Sequence, residues 1–505
     1  MTNTATDFDV MIVGAGISGI GMAAHMKEKA PGHDFVIVER RENLGGTWDL
    51  FRYPGVRSDS DMYTFGFEFR PWLDVKVLAD GPSIQQYIAD TAAEFGIDDK
   101  IHYGLTVLAA EWSSVESRWT VTAQHDTAEH PRTYTCRYLI SCTGYYNHDA
   151  GYLPAFPGAD RFTGSVVHPQ FWPEDLDYAG KNVVVIGSGA TAVTLIPAMA
   201  DDVEHITMLQ RSPSYIFTLP AVDRISGFLG RFLPEKWVYG LARKRNIAVQ
   251  RRLYQACRRW PERMRRILLW LVRQQVGPAV DMSHFTPTYM PWDERLCAVP
   301  NGDLFKALKS GRASVVTDHI ETFTERGILL KSGRELEADI IVTATGLNVQ
   351  MLGGIKLFVD GEPRELHDQM TYKAVLIEDI PNLAWIVGYT NASWTLKSDI
   401  AARYLCRLFK YMAAHGHTVA IPRDATGARL DVGMFNQLNS GYVQRAQETL
   451  PRQGSTPPWK VLMDYEQDRT MLLDDPVDDG LLEFDTAAVS AASVHIPHHR
   501  EVSSR

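Results

Sequence analysis

Cysteine is scarce. Cys136, Cys142, Cys257, Cys297 and Cys406 lie far apart in 505 residues, with no C-x-x-C pair and no ladder of spacings. That excludes a disulfide framework, gives no metal site and leaves no paired redox dithiol. A reducing cytoplasm is the compartment that suits such a chain. Long apolar runs are lacking too: the longest strictly apolar stretch, Ile267 to Val272, has six residues, against about 20 for a bilayer span. The first residues carry neither the basic start nor the apolar run of a secretory signal, so export is not expected. What is present is ordinary for a soluble, folded protein of more than one domain, at 45% apolar and 22% charged content.

The net charge of −10 is unevenly spread. Between Arg231 and Arg273, thirteen Lys and Arg face only Glu235 and Glu262. Apolar residues recur among them (Ile247, Leu253, Met264, Ile267, Leu268, Leu271), which predicts amphipathic helices with their cations on an outer face. Such a face is either plain solvated surface or a peripheral contact with anionic lipid or an acidic partner. Nucleic acid is not expected, because no aromatic-interleaved basic strand or reading helix accompanies the charge.

One order of elements occurs twice. An apolar strand from Asp9 to Val13 leads into Gly14-Ala15-Gly16-Ile17-Ser18-Gly19, a helix through Lys29 and the strand Phe35 to Val38. The order returns as Asn182 to Ile186, Gly187-Ser188-Gly189-Ala190-Thr191-Ala192, a helix through Met199 and the strand His205 to Leu209. Gly144 and Gly346 each end an apolar run and are the expected crossing points between units. The fold class read from this is α/β, with two Rossmann-like dinucleotide-binding domains and a helical insertion. The expected division is 1–146 for the first part of an FAD domain, 147–345 for an NADPH domain with its insertion at about 220–290, 346–485 for the rest of the FAD domain, and 486–505 for a loose tail.

In G-x-G-x-x-G, the first glycine (Gly14) makes the tight turn, the second (Gly16) admits the pyrophosphate, and the third (Gly19) lets helix pack on strand. The phosphate then sits on unpaired amides at the helix start. Glu39, at the end of the second strand, is placed to accept bonds from ribose hydroxyls. At the matching place of the second unit stand Arg211 and Ser212. A carboxylate there would repel a ribose 2′-phosphate, whereas a guanidinium binds it bidentately and a serine adds a donor, so NADPH is favoured over NADH.

Between the two units lies Phe162-Thr163-Gly164-Ser165-Val166-Val167-His168-Pro169-Gln170-Phe171-Trp172-Pro173. This resembles the F-x-G-x-x-x-H-x-x-x-W-P fingerprint of Baeyer–Villiger monooxygenases at every defined position. Gly45-Gly46-Thr47-Trp48, Arg52-Tyr53-Pro54-Gly55, Arg57-Ser58-Asp59, Pro291-Trp292-Asp293-Glu294-Arg295 and Asn391-Ala392-Ser393-Trp394 resemble the branch that holds the ethionamide-activating monooxygenases. The resemblance covers nearly the whole chain and implies an NADPH- and O2-dependent enzyme that turns ketones into esters or lactones through a C4a-peroxyflavin, with sulfoxidation as a side activity. It implies Arg295 as the cation that steadies the anionic stages, and Asp59 as the carboxylate that holds it. It places Gly46, Thr47 and Trp48 on FAD with Phe65 and Val107, Arg57 and Ser58 toward NADP, and His168 and Trp172 in a linker that rearranges with the nucleotide. Many members carry Lys directly before the catalytic Arg, where this chain has Glu294, which throws more of the 2′-phosphate onto Arg211.

Three other functions compete. A flavin-containing monooxygenase would oxidise sulfur or nitrogen centres with the same cofactors; a disulfide reductase would need the cysteine pair the chain lacks; a redox sensor would not need a second complete loop. The expected substrate pocket draws on Tyr215 to Leu219, Met282 to Met290 and Asn391 to Leu396. Oligomeric state leaves no mark in the sequence.

Overall fold

The computed structural model describes residues 6–485 apart from 75 and 279. The expected tail at 486–505 lies outside the described residues. The strand Phe8–Val13 pairs in parallel with Phe35–Val38 on one side and with Arg132–Ser141 on the other. It is buried from Val10 onward, as a central parallel strand covered on both faces must be, which is why its sequence runs apolar instead of alternating. The helix Ile17–Lys29 that follows is buried from Ile17 through Met26. Such close packing needs a missing side chain: a Cβ at Gly19 would lie 1.9 Å from the Gly14 carbonyl oxygen.

This sheet grows to eleven strands. Leu105–Ser113, Arg118–His125 and Arg132–Ser141 form an antiparallel meander. Lys356–Val359 then adds in parallel to Leu105–Ser113, and Leu383–Trp385 adds in parallel to Arg132–Ser141. The chain after Gly346 therefore returns to the sheet begun before Gly144. The helix Trp394–His415 packs against Ile17–Lys29 and completes that core.

A second sheet has five strands, all parallel, in the order Ala313–Thr317, His205–Gln210, Asn182–Ile186, Ile340–Thr343 and Ser165–Val167. The fold is thus α/β with two Rossmann-like parallel units. The crossings between the sheets are themselves paired, since Tyr146–Gly151 and Leu347–Val349 form an antiparallel ribbon. Both follow a glycine with positive φ, Gly144 at 70° and Gly346 at 104°.

The basic stretch forms the helices Arg224–Leu229, Glu235–Arg259 and Pro261–Val276. The parallel pair Ile216–Leu219 and Cys297–Pro300 brackets them. The outer-face expectation for its cations fails at Arg243, which is buried. Its Nη1 donates to the carbonyls of Tyr63 and Gly66 at 2.8 and 2.9 Å. The short helix Met62–Phe65 ends there with carbonyls that need donors, so the cation turns inward. Arg251 is likewise tied to Asp464 at 2.9 Å. Among the described residues, no helix is long and apolar enough to cross a membrane.

Candidate active site

One cleft of about 330 Å³ runs from the first glycine loop to the start of the helix Ala190–Met199. At its first end Gly14 has a φ of 103°, and Gly16 is the N-cap of a helix that no side chain caps. Gly46 faces it so closely that a Cβ there would come within 3.1 Å of the Gly16 Cα. Glycine backbone from both loops lines this end, which suits a pyrophosphate. Glu39 accepts the amide N–H groups of Ala15 at 2.7 Å and Arg41 at 2.9 Å. Burial lifts its carboxyl above the usual range, and those two amides oppose the lift. The Ser18 hydroxyl accepts the Trp394 indole N–H at 2.8 Å, fastening the helix Trp394–His415 to the loop.

Deeper in, the helix Thr47–Leu50 presents Thr47 and Trp48. The Trp48 ring meets Phe65 edge-on at 5.7 Å. Val107 reaches the wall where the strand register shifts between Val107 and Ala109. Arg57, Ser58 and Asp59 line the middle. Arg57 pairs with Asp303 at 3.0 Å, while its Nη2 is buried with no hydrogen-bond partner. That is a charged donor with capacity left over inside a cleft, the signature of a site that receives an anion. Ser58 is turned to its own loop, its Oγ bonded to the Ser60 amide and carbonyl at 3.0 Å each.

Arg295 stands where the cleft meets a second cavity of about 710 Å³; Asp59, Ser60, Arg295 and Ala392 line both. Burial works against the Arg295 charge, but Asp59 and then the hydroxyls of Tyr145, Tyr442 and Tyr146 act for it, and the guanidinium is held above the ordinary arginine value. Its charge is permanent. Among the described residues no hydrogen bond or ion pair joins it to Asp59. The expectation that Asp59 holds it by contact is therefore not met; Asp59 is exposed and acts through its field alone.

The three tyrosines are what the sequence reading missed. The Tyr145 and Tyr146 hydroxyls lie 2.7 Å apart, and Tyr145 stacks on Trp394 at 5.4 Å. Burial raises all three above the usual phenol range, while Arg295 pulls each back. They stay protonated, so neutral hydroxyls stand beside the cation. Tyr145 and Tyr146 follow the crossing glycine Gly144, a signal that was available; nothing in the sequence marks Tyr442.

The second glycine loop is built alike but more openly. Gly187 has a φ of 140° and leaves no room for a Cβ, which would lie 2.3 Å from the Ala344 carbonyl oxygen. Ala190 and Thr191 reach the cleft, as does Thr194. Gly187, Ser188, Gly189, the buried Ala192, Arg211 and Ser212 lie outside its lining, and so does the packing residue Gly19. Ser188 Oγ bonds the Ser212 carbonyl and the Ser214 hydroxyl at 3.0 Å each, so loop and strand end are knitted together. Arg211 and Ser212 are exposed. Glu294 is raised by burial, with Arg211 as the first charge opposing, which puts the departure from the family's Lys beside the cation it was expected to burden.

His168 lines neither cavity. Its Nε2 lies 3.3 Å from the Gly346 carbonyl and its Nδ1 accepts the Gln170 amide at 3.2 Å. The ring packs on Gly151, where a Cβ would come within 2.0 Å. That is the crossing ribbon, and Trp172 also lies outside both cavities. Of the expected pocket loops, Phe217, Leu219, Asn391 and Ser393 line the second cavity, whereas Met282 to Met290 contribute nothing to it. Cys142 is the one thiol on the cleft wall. All five cysteines are buried and unpaired, and burial raises the Cys142 thiol far above its ordinary range, which suits no dithiol chemistry. Among the described residues, no cluster of His, Cys, Asp and Glu could hold a metal ion.

The model of the flavin-binding monooxygenase-like family matches residues 8–416. MymA of Mycobacterium tuberculosis is 70% identical over 490 residues, which cover 96% of this chain and 99% of that protein. The FAD-containing monooxygenase EthA of the same species is 50% identical over 480 residues, 94% of this chain and 97% of its own. Among solved structures, oxidized steroid monooxygenase bound to NADP superposes with a TM-score of 0.77 over 95% of this chain and 99% of its own, at 21% identity, a likeness of fold.

Proposed function

Because the chain belongs to the flavin-binding monooxygenase-like family, we propose that it is an FAD-containing, NADPH-dependent Baeyer–Villiger monooxygenase, inserting one atom of O2 beside a ketone carbonyl to give an ester or lactone. The observation that carries this reading is the permanent charge of Arg295 where the cleft that joins the two glycine loops meets the second cavity. FAD, when bound, supplies the reactivity toward O2 that no side chain here possesses.

The residues divide the remaining work. Gly14, Gly16 and Gly46 offer backbone to the FAD pyrophosphate, Glu39 holds its ribose, and Thr47, Trp48, Phe65 and Val107 wall in the ring system. Residues 1–146 and 346–485 make up this unit, and 147–345 the NADPH unit. There the amides of Ser188 to Thr191 take the pyrophosphate and Arg211 with Ser212 takes the 2′-phosphate. The unpartnered Arg57 Nη2 is the further donor for an anion in the cleft. Arg295 steadies the negative charge that builds on the substrate oxygen, and the field of Asp59 favours that charged guanidinium. Leu219, Leu253, Leu296 and Trp292 offer the chamber's apolar wall to the substrate. A thioether fits the same chamber, so sulfoxidation is a side reaction of one site. Five unpaired thiols suit a reducing cytoplasm.

The test is product mass after incubation of the holoenzyme with NADPH, labelled O2 and a mixed set of ketones, sulfides and amines. The reading expects an ester carrying one labelled atom. Label confined to sulfoxide or N-oxide assigns the chain to sulfur or nitrogen oxidation instead.

A further inference from the structure

Eleven of the eighteen exposed large apolar side chains among the described residues fall between Val222 and Leu271. Apolar surface of that density on one segment of a soluble fold calls for something to cover it. The same segment carries exposed cations at Arg231, Lys236, Lys244, Arg252, Arg259, Arg263, Arg266 and Arg273. None of these forms an ion pair among the described residues. Charge and apolar surface are interleaved on the outward faces of the helices. Trp237, Leu241 and Lys244 recur at helical spacing along Glu235–Arg259, and Arg263, Ile267 and Trp270 do so along Pro261–Val276. Trp237 and Trp270 are 69% and 59% exposed, which is costly for indoles in water and ordinary at a lipid headgroup layer, where the ring is apolar and its N–H finds a partner.

The second cavity reaches the same surface. Its lining includes Val222, Ile225 and Val249, all three among the exposed apolar residues of this segment, beside Asp223, Arg224 and Arg245, and it extends to the half-buried Arg295. A route therefore leads from the interleaved face to the permanent cation.

We propose that the helices between Arg224 and Val276 dock on an anionic lipid bilayer, and that an apolar ketone or thioether dissolved in that bilayer enters the Arg295 chamber directly through the mouth at Val222, Ile225 and Val249. Its second half rests on the reading of that chamber as the substrate site; its first half does not. Phosphate headgroups complement unpaired cations, the indoles and aliphatic chains sink into the headgroup boundary, and no helix needs to span. A nucleic acid would answer the charge and leave Phe228, Phe232, Trp237 and Trp270 in water.

The experiment is co-sedimentation of the holoenzyme with vesicles of phosphatidylcholine containing phosphatidylglycerol, against vesicles of phosphatidylcholine alone. Binding is expected to the anionic vesicles only and to be released by salt. Arg263→Glu/Arg266→Glu is expected to weaken it at least about ten-fold, and Trp237→Ala/Trp270→Ala to weaken it while keeping the charge. A water-soluble short ketone and a long-chain ketone carried in the vesicles then separate the two halves. The charge-reversed variant should keep turnover of the first and lose that of the second. No binding to anionic vesicles, equal binding to neutral ones, tighter binding to duplex DNA, or a dimer that buries these tryptophans without lipid would each overturn the docking. Vesicle binding without oxidation of any ketone would leave the docking in place and count against the Baeyer–Villiger reading alone.

Discussion

The two glycine loops share one sequence plan and differ in enclosure. Around the first, ten consecutive helix residues from Ile17 to Met26 are buried, Glu39 is 4% exposed, and Trp394 arrives from far along the chain to bond Ser18. Around the second, Gly189 and Ala190 are exposed, as are Arg211 and Ser212, and a Cβ at Gly189 would meet nothing within 4 Å. A group bound at the first loop is held by elements that the whole fold must displace to release it. One bound at the second meets solvent on its outer side and is free to exchange. That is the arrangement a reaction needs when one nucleotide remains and the other is consumed each cycle.

The largest effect that could break this contrast comes from the glycines themselves. Gly19→Ala puts a methyl within 1.9 Å of the Gly14 oxygen, so the purified protein should lack flavin absorbance. Gly189→Ala should retain full flavin content and a near-normal melting temperature. Equal flavin loss in both would end the comparison. Next in size, Arg211→Ala should raise the KM for NADPH by about 10- to 100-fold, the worth of a charge-assisted phosphate contact, and leave that for NADH in place. Equal losses would mean that Arg211 does not touch the 2′-phosphate. Glu294→Gln should act the other way and lower the KM for NADPH a few-fold, by relieving Arg211 of an opposing charge.

The smallest effect concerns His148, which lines the cleft near Glu39 and Arg40. Burial first, then the cations Arg40 and Arg41, lower its pKa from 6.5 to about 4. The folded value lies below the unfolded one, so the neutral ring contributes stability above about pH 6.5, and that contribution is lost as the pH falls toward 4. Melting curves of the parent and of His148→Gln should differ by an offset that is constant above pH 6.5 and shrinks by a few degrees toward pH 4. An offset independent of pH would contradict the assignment.

The glycine loops, their flanking strands and the crossing points at Gly144 and Gly346 could be read directly, because turns of positive φ and fully buried parallel strands leave a local imprint. Arg295 was legible only through the motif around it. The cluster of Tyr145, Tyr146 and Tyr442 was not legible, since two crossings and a return to the first sheet bring those residues together from positions some 300 residues apart in the sequence. The inward turn of Arg243 was hidden for a similar reason: its partners are carbonyls of a short helix far earlier in the chain, and periodicity on its own helix cannot report them. The contact expected between Asp59 and Arg295 failed because adjacency within one cleft leaves the distance open.

In the proposed reaction a fixed cation at the wall between cleft and chamber makes the oxygen insertion possible. Arg295→Ala, measured for flavin content, NADPH oxidation and ester yield together, tests it most directly. The flavin should stay bound and reducible and NADPH consumption should continue, with ester formation down about 100- to 1,000-fold and a part of it restored in Arg295→Lys. Ester formation at the parent rate in Arg295→Ala would contradict it.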